Sequence, residues 1–433
     1  MKKLTTLVLA AGLVVSAFAG SASAGEFKPV LQFAEEFTYT DAGIDDSENF
    51  NAATRIRFGF DYVASEDLSA TILFQYRHTN WGNNGNDFTA DPSIFGDDSK
   101  DHFRMRLAYI DWTLPSTDVK VRMGRQAVVA PSYAFGSAVL DGRADAVSVN
   151  GNINENISLG LAWLRLDSEQ GLPNDGRKDA DAVMLNAEFA YDGFKVAPWA
   201  MYAYKDTAAM SYAPANMLPY EANSFVVGAS AELNMFDPFV FAVDALYSNV
   251  SYDDMPAGLE DSFDGFYVAA KASYKFSNGV AALGGWYATG DDDTNNDNGF
   301  VLLDGGFSAS TILFGDNIIG CDDYNTMFNN DSPFGTWGVI AEYAGFSFLE
   351  NLSHTARVVY LQGTADKDIE SRDLFSKPTE DDTLIEVDFN STYQIYKNFS
   401  ATLELGYVFV DQDNVQEEQD DIFRSALTFV YKF

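Results

Sequence analysis

The stretch Phe423-Arg424-Ser425-Ala426-Leu427-Thr428-Phe429-Val430-Tyr431-Lys432-Phe433 ends the chain on an aromatic side chain. Phe423, Leu427, Phe429, Tyr431 and Phe433 share one parity, broken only by Ser425, while Arg424, Thr428 and Lys432 share the other with Ala426 and Val430. Side chains of a strand alternate between its two faces, so this segment reads as a strand with one apolar and one mostly wet face. No residue follows Phe433 to pair with its backbone. The expectation is that this strand closes on the first strand of a barrel.

Working back along the chain, the same two-residue period recurs. Ile56, Phe58, Phe60 and Tyr62 oppose Arg55, Arg57, Gly59 and Asp61. Val268, Ala270, Ala272, Tyr274 and Phe276 oppose Tyr267, Lys271, Ser273 and Lys275. Ile385, Val387, Phe389 and Tyr393 oppose Glu386, Asp388, Asn390 and Gln394. A small soluble barrel fills its interior with apolar side chains. Here the charged set must face inward, because charge facing lipid costs ~2–4 kcal/mol at mid-bilayer. The expected fold is all-β: one transmembrane, antiparallel, up-and-down β-barrel of about 18 strands, with a polar lumen wide enough for a water-filled channel. Sixteen strands result if residues near 118–150 pair differently. Connections alternate between short turns, such as Pro115-Ser116-Thr117-Asp118, Asp192-Gly193 and Ser277-Asn278-Gly279, and long loops near 82–101, 126–142 and 290–335. That layout places short turns at the periplasmic rim and long loops outside. Tyr62, Trp81, Tyr109, Trp112, Trp199, Trp286, Tyr407 and Tyr431 lie near strand ends and are expected in aromatic girdles at the two interfaces.

Met1-Lys2-Lys3, the apolar run Leu4–Ala19 and Ala22-Ser23-Ala24 read as a secretory signal peptide cut near Ala24. The run is shorter than the ~20 apolar residues a spanning helix needs. Residues 25–433 then form a single barrel domain, with almost nothing before the first strand to serve as a plug. A net charge of −37 argues against a nucleic-acid partner, which needs clustered basic surface. The lone Cys321 excludes an internal disulfide framework.

The aromatic terminus, with Leu427, Phe429, Tyr431 and Phe433 on one face, resembles the assembly signal of bacterial outer-membrane barrels. That resemblance implies recognition by the barrel-assembly machinery. The third long loop, Gln126 to Gly142, is unusually apolar for a rim loop and is expected to tuck against the barrel. Its place in the hairpin order is similar to the loop that narrows the homotrimeric porins. It lacks their acidic Pro-Glu-Phe-Gly-Gly motif, and Asp141 is its only carboxylate. The whole chain most resembles the homotrimeric general-diffusion porins of delta-class sulfate-reducing bacteria. The resemblance implies a trimer in the outer membrane, in contact with lipid and lipopolysaccharide.

Eight of thirteen arginines fall between Arg55 and Arg143. Arg55, Arg57, Arg104, Arg106, Lys120, Arg122, Arg125 and Arg143 are expected to form a basic strip lining the constriction. Phe103, Met105 and Leu107 would flank Arg104 and Arg106 from the opposite face. Guanidinium stays charged and grips carboxylate or phosphate bidentately, so the strip would set a transverse field across the lumen. The expected function is passive diffusion of ions and small polar solutes. A channel specific for a sugar or organic anion is the alternative, and a non-conducting structural barrel is a third. Asp291, Asp293 and Asp297 are a weak loop-bound Ca²⁺ candidate whose spacing departs from the EF-hand by one residue at Gly299. No other cofactor is expected. His78, His102 and His354 lie far apart, and no Ser–His pair in register suggests an enzyme.

Overall fold

Period-two apolarity exposes one whole face of each strand, and a bilayer tolerates that face only if both strand edges are paired. The computed structural model meets this demand by closing the sheet on itself. It describes residues 25–41, 48–81, 103–168, 179–205, 221–253, 261–291, 305–315, 332–367, 378–413 and 419–433. The sequence begins the wall with β1 (Glu26–Asp41), β2 (Glu48–Ser65), β3 (Leu68–Asn80), β4 (Phe103–Thr113), β5 (Lys120–Val129) and β6 (Asp141–Asn154). It continues with β7 (Ile157–Ser168), β8 (Asp179–Tyr191), β9 (Phe194–Lys205), β10 (Ala222–Phe236), β11 (Phe239–Tyr252) and β12 (Ser262–Phe276). β13 (Gly279–Ala288), β14 (Thr336–Phe346), β15 (Leu352–Gly363), β16 (Thr383–Tyr396), β17 (Phe399–Asp411) and β18 (Ile422–Lys432) complete it.

Each strand pairs antiparallel with the next, and β1 also pairs with β18, giving one closed 18-stranded barrel. β5 and β6 pair continuously from Lys120–Asn150 to Val129–Asp141, which excludes the sixteen-strand alternative. The closing ladder runs from Gln32–Lys432 to Asp41–Phe423, and the Phe433 N–H donates to the Leu31 carbonyl at 2.8 Å. One rim carries tight turns. At Asp192-Gly193, Gly193 has φ 84°, a left-handed conformation that glycine adopts without a Cβ clash. The third loop is shorter than the spacing suggests, residues 130–140, because Gln126–Val129 continue the alternation of β5.

The outward face is apolar: Leu185, Leu283, Val358, Val387 and Phe389 are all exposed on the isolated barrel. Aromatic rings crowd its turn rim. Phe239 meets Tyr274, Phe276 meets Tyr343, and Phe346, Phe348 and Phe389 surround His354. Trp81, Trp112, Tyr407 and Tyr431 are exposed on this outer surface. Tyr109, Trp199 and Trp286 are not girdle residues; all three point into the barrel. Aromatic residues satisfy the alternation on either face, and the lumen here is crowded enough to bury Trp199 and Trp286. The flanking scheme around Arg106 also changes. The β3–β4 register slips between Leu73–Leu107 and Phe74–Met105, so Leu107 shares the inner face with Leu73 rather than the outer face with Met105.

Val387→Arg, mid-strand on the outer face of β16, is expected to destabilise the barrel in vesicles by ~2–4 kcal/mol, measured by equilibrium denaturant unfolding. Lys120→Arg on the inner face should be near neutral. An unchanged midpoint for Val387→Arg would place this face away from hydrocarbon.

The candidate pore constriction and its two docked loops

An eighteen-stranded wall encloses more space than its own side chains fill. Two rim loops fold into that space. The third loop, 130–140, is largely buried, and so is 305–315 from the seventh loop, between β13 and β14. The seventh loop's entry was missed in the sequence because its acidic start at Asp291–Asp297 dominates the reading. Its signal is Phe307 and the run Ile312-Leu313-Phe314, apolar residues with no reason to sit at a wet rim.

Buried carboxylates on the wall hold both loops by their backbones. Asp244 on β11 accepts from the Tyr133 N–H (2.8 Å), the Ala134 N–H (2.8 Å) and the Ser132 hydroxyl (2.7 Å). Glu386 on β16 accepts from the N–H groups of Thr311 (2.9 Å), Ile312 (2.6 Å) and Leu313 (3.0 Å). Asp388 takes a further bond from the Thr311 N–H, and Asn390 donates to the Thr311 hydroxyl. A hydrogen bond contributes ~0.5–1.5 kcal/mol net, and leaving a buried partner unpaired costs about 1–3 kcal/mol. A Cβ at Gly406 of β17 would meet Ile312 Cδ1 at 2.7 Å, so glycine makes room for the seated tip. The Tyr133 hydroxyl donates to Glu188 at 3.2 Å; burial, then Glu188, pushes this phenol up to about 12, so it stays a donor through the physiological range.

The loops also hold each other. The Gly306 N–H donates to Ser137 O and the Ser308 N–H to Phe135 O, at 2.8 and 2.7 Å. Phe135 from the third loop, Phe307 and Phe314 from the seventh, and Trp286 and Tyr267 from the wall form one aromatic hub. Its ring centroids lie 5.0 Å (Phe307–Phe314), 5.1 Å (Trp286–Phe307) and 5.7 Å (Phe135–Phe307) apart. The Trp286 indole N–H donates to Thr336 at 2.9 Å. A chain of ions, Arg357–Glu342 (2.6 Å) and Glu342–Lys271 (3.4 Å), ends with Lys271 over the Phe135 ring.

Asp244, the carboxylate seat of the third loop on β11, stands nine strands from β2 and so across the lumen from Arg55 and Arg57, with Arg104 and Arg106 following on β4. Arg57 and Arg106 both donate to Gln75, at 2.8 and 3.0 Å. The positive charges of Arg57, Arg104 and Arg55 bear on Arg106 and form one inner-wall cluster; that of Arg143 also reaches Arg106, although its ladder position on β6 shares the parity of Asp145. Arg122 and Lys120 stand apart. Arg122 grips Asp111 bidentately (2.7 and 2.8 Å) above the Tyr109 ring, and Lys120 lies 3.8 Å from the same carboxylate.

Two sequence expectations are corrected. Arg125 faces outward, level with Met123, and pairs with Asp145 at 3.9 Å on the outer wall. The rule that charge turns inward fails there because an opposite charge stands beside it. Asp141 packs against Gly306, whose Cβ would meet its carboxylate oxygen at 2.7 Å, so it braces the seventh loop. The acidic side of the lumen comes instead from the wall. Of the calcium candidates, Asp291 is buried, its carbonyl accepting from the Asp366 N–H at 2.9 Å. Asp293, Asp297, Cys321 and His102 lie outside the described residues.

A closed eighteen-stranded barrel, apolar outside, charged inside and narrowed by in-folded loops, has the architecture of a porin. Several solved structures share this fold. Pseudomonas aeruginosa OpdQ matches with 13 % identity and TM-score 0.57, over 94 % of this chain and 99 % of that one. Pseudomonas aeruginosa OccK11 (OpdR) matches with 13 % identity and TM-score 0.55, over 94 % and 96 %. OprD of the same organism matches with 11 % identity and TM-score 0.55, over 95 % and 97 %. Identities this low show a shared fold. No protein-family model matches the sequence, and no curated protein matches it.

Trp286→Ala should loosen both loops together, at a cost of about 3–5 kcal/mol in their docking. Glu386→Leu should release the seventh loop alone. Limited proteolysis of the folded barrel checks both: new cleavage within 130–140 and 305–315 for the first variant, within 305–315 only for the second.

Proposed function

We propose that the protein is a passive outer-membrane porin through which ions and small polar solutes diffuse down their gradients. The observation that carries this reading is the asymmetry of the lumen. Arg55, Arg57, Arg104 and Arg106 cluster on one side, and two loops pinned by Asp244, Glu386 and Asp388 stand on the others. Such a cross-section orders water and sorts permeants by charge and dipole. Export through a signal peptide cut near Ala24, delivery by the barrel-assembly machinery through the β18 terminus, and contact with lipopolysaccharide complete the reading. The resemblance to homotrimeric diffusion porins adds a trimer. No cofactor is needed for passive diffusion, and Ca²⁺ at the Asp291–Asp297 loop would be accessory.

Planar-bilayer recording should show stepwise conductance, and a folded barrel that never conducts would refute the proposal. Arg104→Ser/Arg106→Ser should move the reversal potential in a salt gradient toward cation selectivity, because the net charge favours cations once the cluster is weakened. No shift would remove these arginines from the permeation path.

A second reading, a channel specific for organic anions, is favoured by the convergence of Arg57 and Arg106 on Gln75. It predicts saturable block of the current by a small carboxylate, relieved in the same variant. Block that is linear in concentration returns the choice to general diffusion.

A further inference from the structure

The outward face of β12 to β16 is not evenly clad. Ala272 on β12, Ala281 on β13, Ala341 on β14 and Ala356 on β15 share it with the exposed Leu283, Val358 and Val387. The ladders set these alanines among large neighbours. Ala281 stands opposite both Tyr274 and Tyr343, Ala341 opposite Leu283 and Val358, and Ala356 opposite Tyr343 and Phe389. The result is a hollow of about 730 Å³ in the wall, floored by methyl groups and sided by Phe239, Tyr274, Leu283, Tyr343, Val387 and Phe389.

Aromatic rings close the hollow on its turn side in one unbroken arc. Phe239 meets Tyr274 with ring centroids 4.9 Å apart, Tyr274 meets Phe276 at 4.5 Å, and Phe276 meets Tyr343 at 6.1 Å. Tyr343 stacks on Phe346 at 5.0 Å, Phe346 meets His354 at 5.3 Å, and His354 stacks on Phe389 at 5.4 Å. The arc is fixed by polar contacts: the Tyr343 hydroxyl donates to Asn278 at 2.9 Å, and His354 Nδ1 bonds the Ser391 hydroxyl at 2.8 Å. Beyond the arc the rim carries exposed charge, with Lys275 at the end of β12, Glu350 between β14 and β15, and Lys397 between β16 and β17. From turn to hollow the wall passes from charge, through amphipathic rings, to bare methyl groups, which is the order of a bilayer leaflet.

A gap lined this way holds no water, and left open it forfeits the contacts its walls would otherwise make. A helix about 10 Å wide would fill it with about six residues, too short a contact to approach the ~800 Å² per partner of a specific protein interface. A methylene chain is narrow and flexible enough to follow the floor from the arc to Leu283 and Val387, and the rim lysines answer a phosphate. We infer that the hollow seats one glycerophospholipid of the turn-side leaflet: an acyl chain lies on Ala281, Ala341 and Ala356, with its phosphate at the rim that carries Lys275 and Lys397. The inference rests on the preceding reading only in taking the outer wall to face hydrocarbon.

Native mass spectrometry of the full chain in detergent, offered dioleoyl phosphatidylethanolamine, tests the seat, with a heat-modifiability gel reporting barrel folding. One lipid should stay on wild type at collision energies that strip the rest. Ala341→Phe/Ala356→Phe fills the floor and should lower that species about tenfold or more, since each buried methylene changes affinity several-fold. Ala245→Phe, on the outward face of β11, should leave it unchanged. Dioleoylglycerol, which lacks the phosphate, should be held about tenfold less well. If the phenylalanine pair does not fold, crystals of wild type grown with a phospholipid brominated along its chains should place bromine over Ala341. The seat is overturned by wild type that retains no lipid, by retention untouched in the phenylalanine pair or lost equally in Ala245→Phe, or by equal retention of dioleoylglycerol. A retained polypeptide in place of lipid, or bromine absent from the hollow, overturns it too. Conductance of the same samples separates the two claims: conducting barrels that hold no lipid sink only the seat, and barrels that hold lipid but never conduct sink only the channel.

Discussion

Hydrocarbon supplies no hydrogen bonds, so a chain that crosses it in strands must pair its backbone within itself. The rest of this molecule depends on how β18 meets β1. That ladder turns an open sheet, whose edges would have no partner in lipid, into a cylinder, and its Phe433–Leu31 bonds lie at the last residue of the chain. Closure fixes the strand number, and strand number fixes the bore. A bore of this width is not filled by the side chains of its own wall, and two loops occupy the interior.

Those structures are held by an unusual division of labour. The loop tips contribute main-chain N–H groups, and the wall contributes carboxyl side chains that would be costly to bury without partners. Each anchors the other: both oxygens of Glu386 accept from the same amides they immobilise. The aromatic hub adds apolar burial where the two tips meet, joining segments far apart in sequence. Across the lumen the arginines keep one another's charge close, which concentrates field in the water between wall and loops.

Much of this was legible in sequence. Alternation in β2, β12 and β16 gives the faces, the turn spacing gives the strand order, and the apolar third loop announces its inward course. What was not legible has physical causes. Trp199 and Trp286 fit the parity of a strand on either side, and only the tertiary position of the loops decides which. A Cβ at Gly338 would run into the Trp286 ring, a space that no local pattern advertises. Arg125 shares the parity of Val121 and Met123, so alternation alone places it outside. Reasoning from charge overrode that parity and erred, because the opposite charge lay on a neighbouring strand. Leu107 was misassigned through a one-residue slip in the ladder, which a periodic reading cannot see.

The carboxyl seats have a consequence for how the interior of such a barrel is retuned. Asp244 and Glu386 recognise the peptide backbone of the segments they hold, and backbone is common to every sequence. Side chains on the exposed surface of either insert can therefore be exchanged without loss of attachment, provided the buried aromatic contacts persist. Bore chemistry and bore architecture become separable variables, and the former can drift while the latter stands.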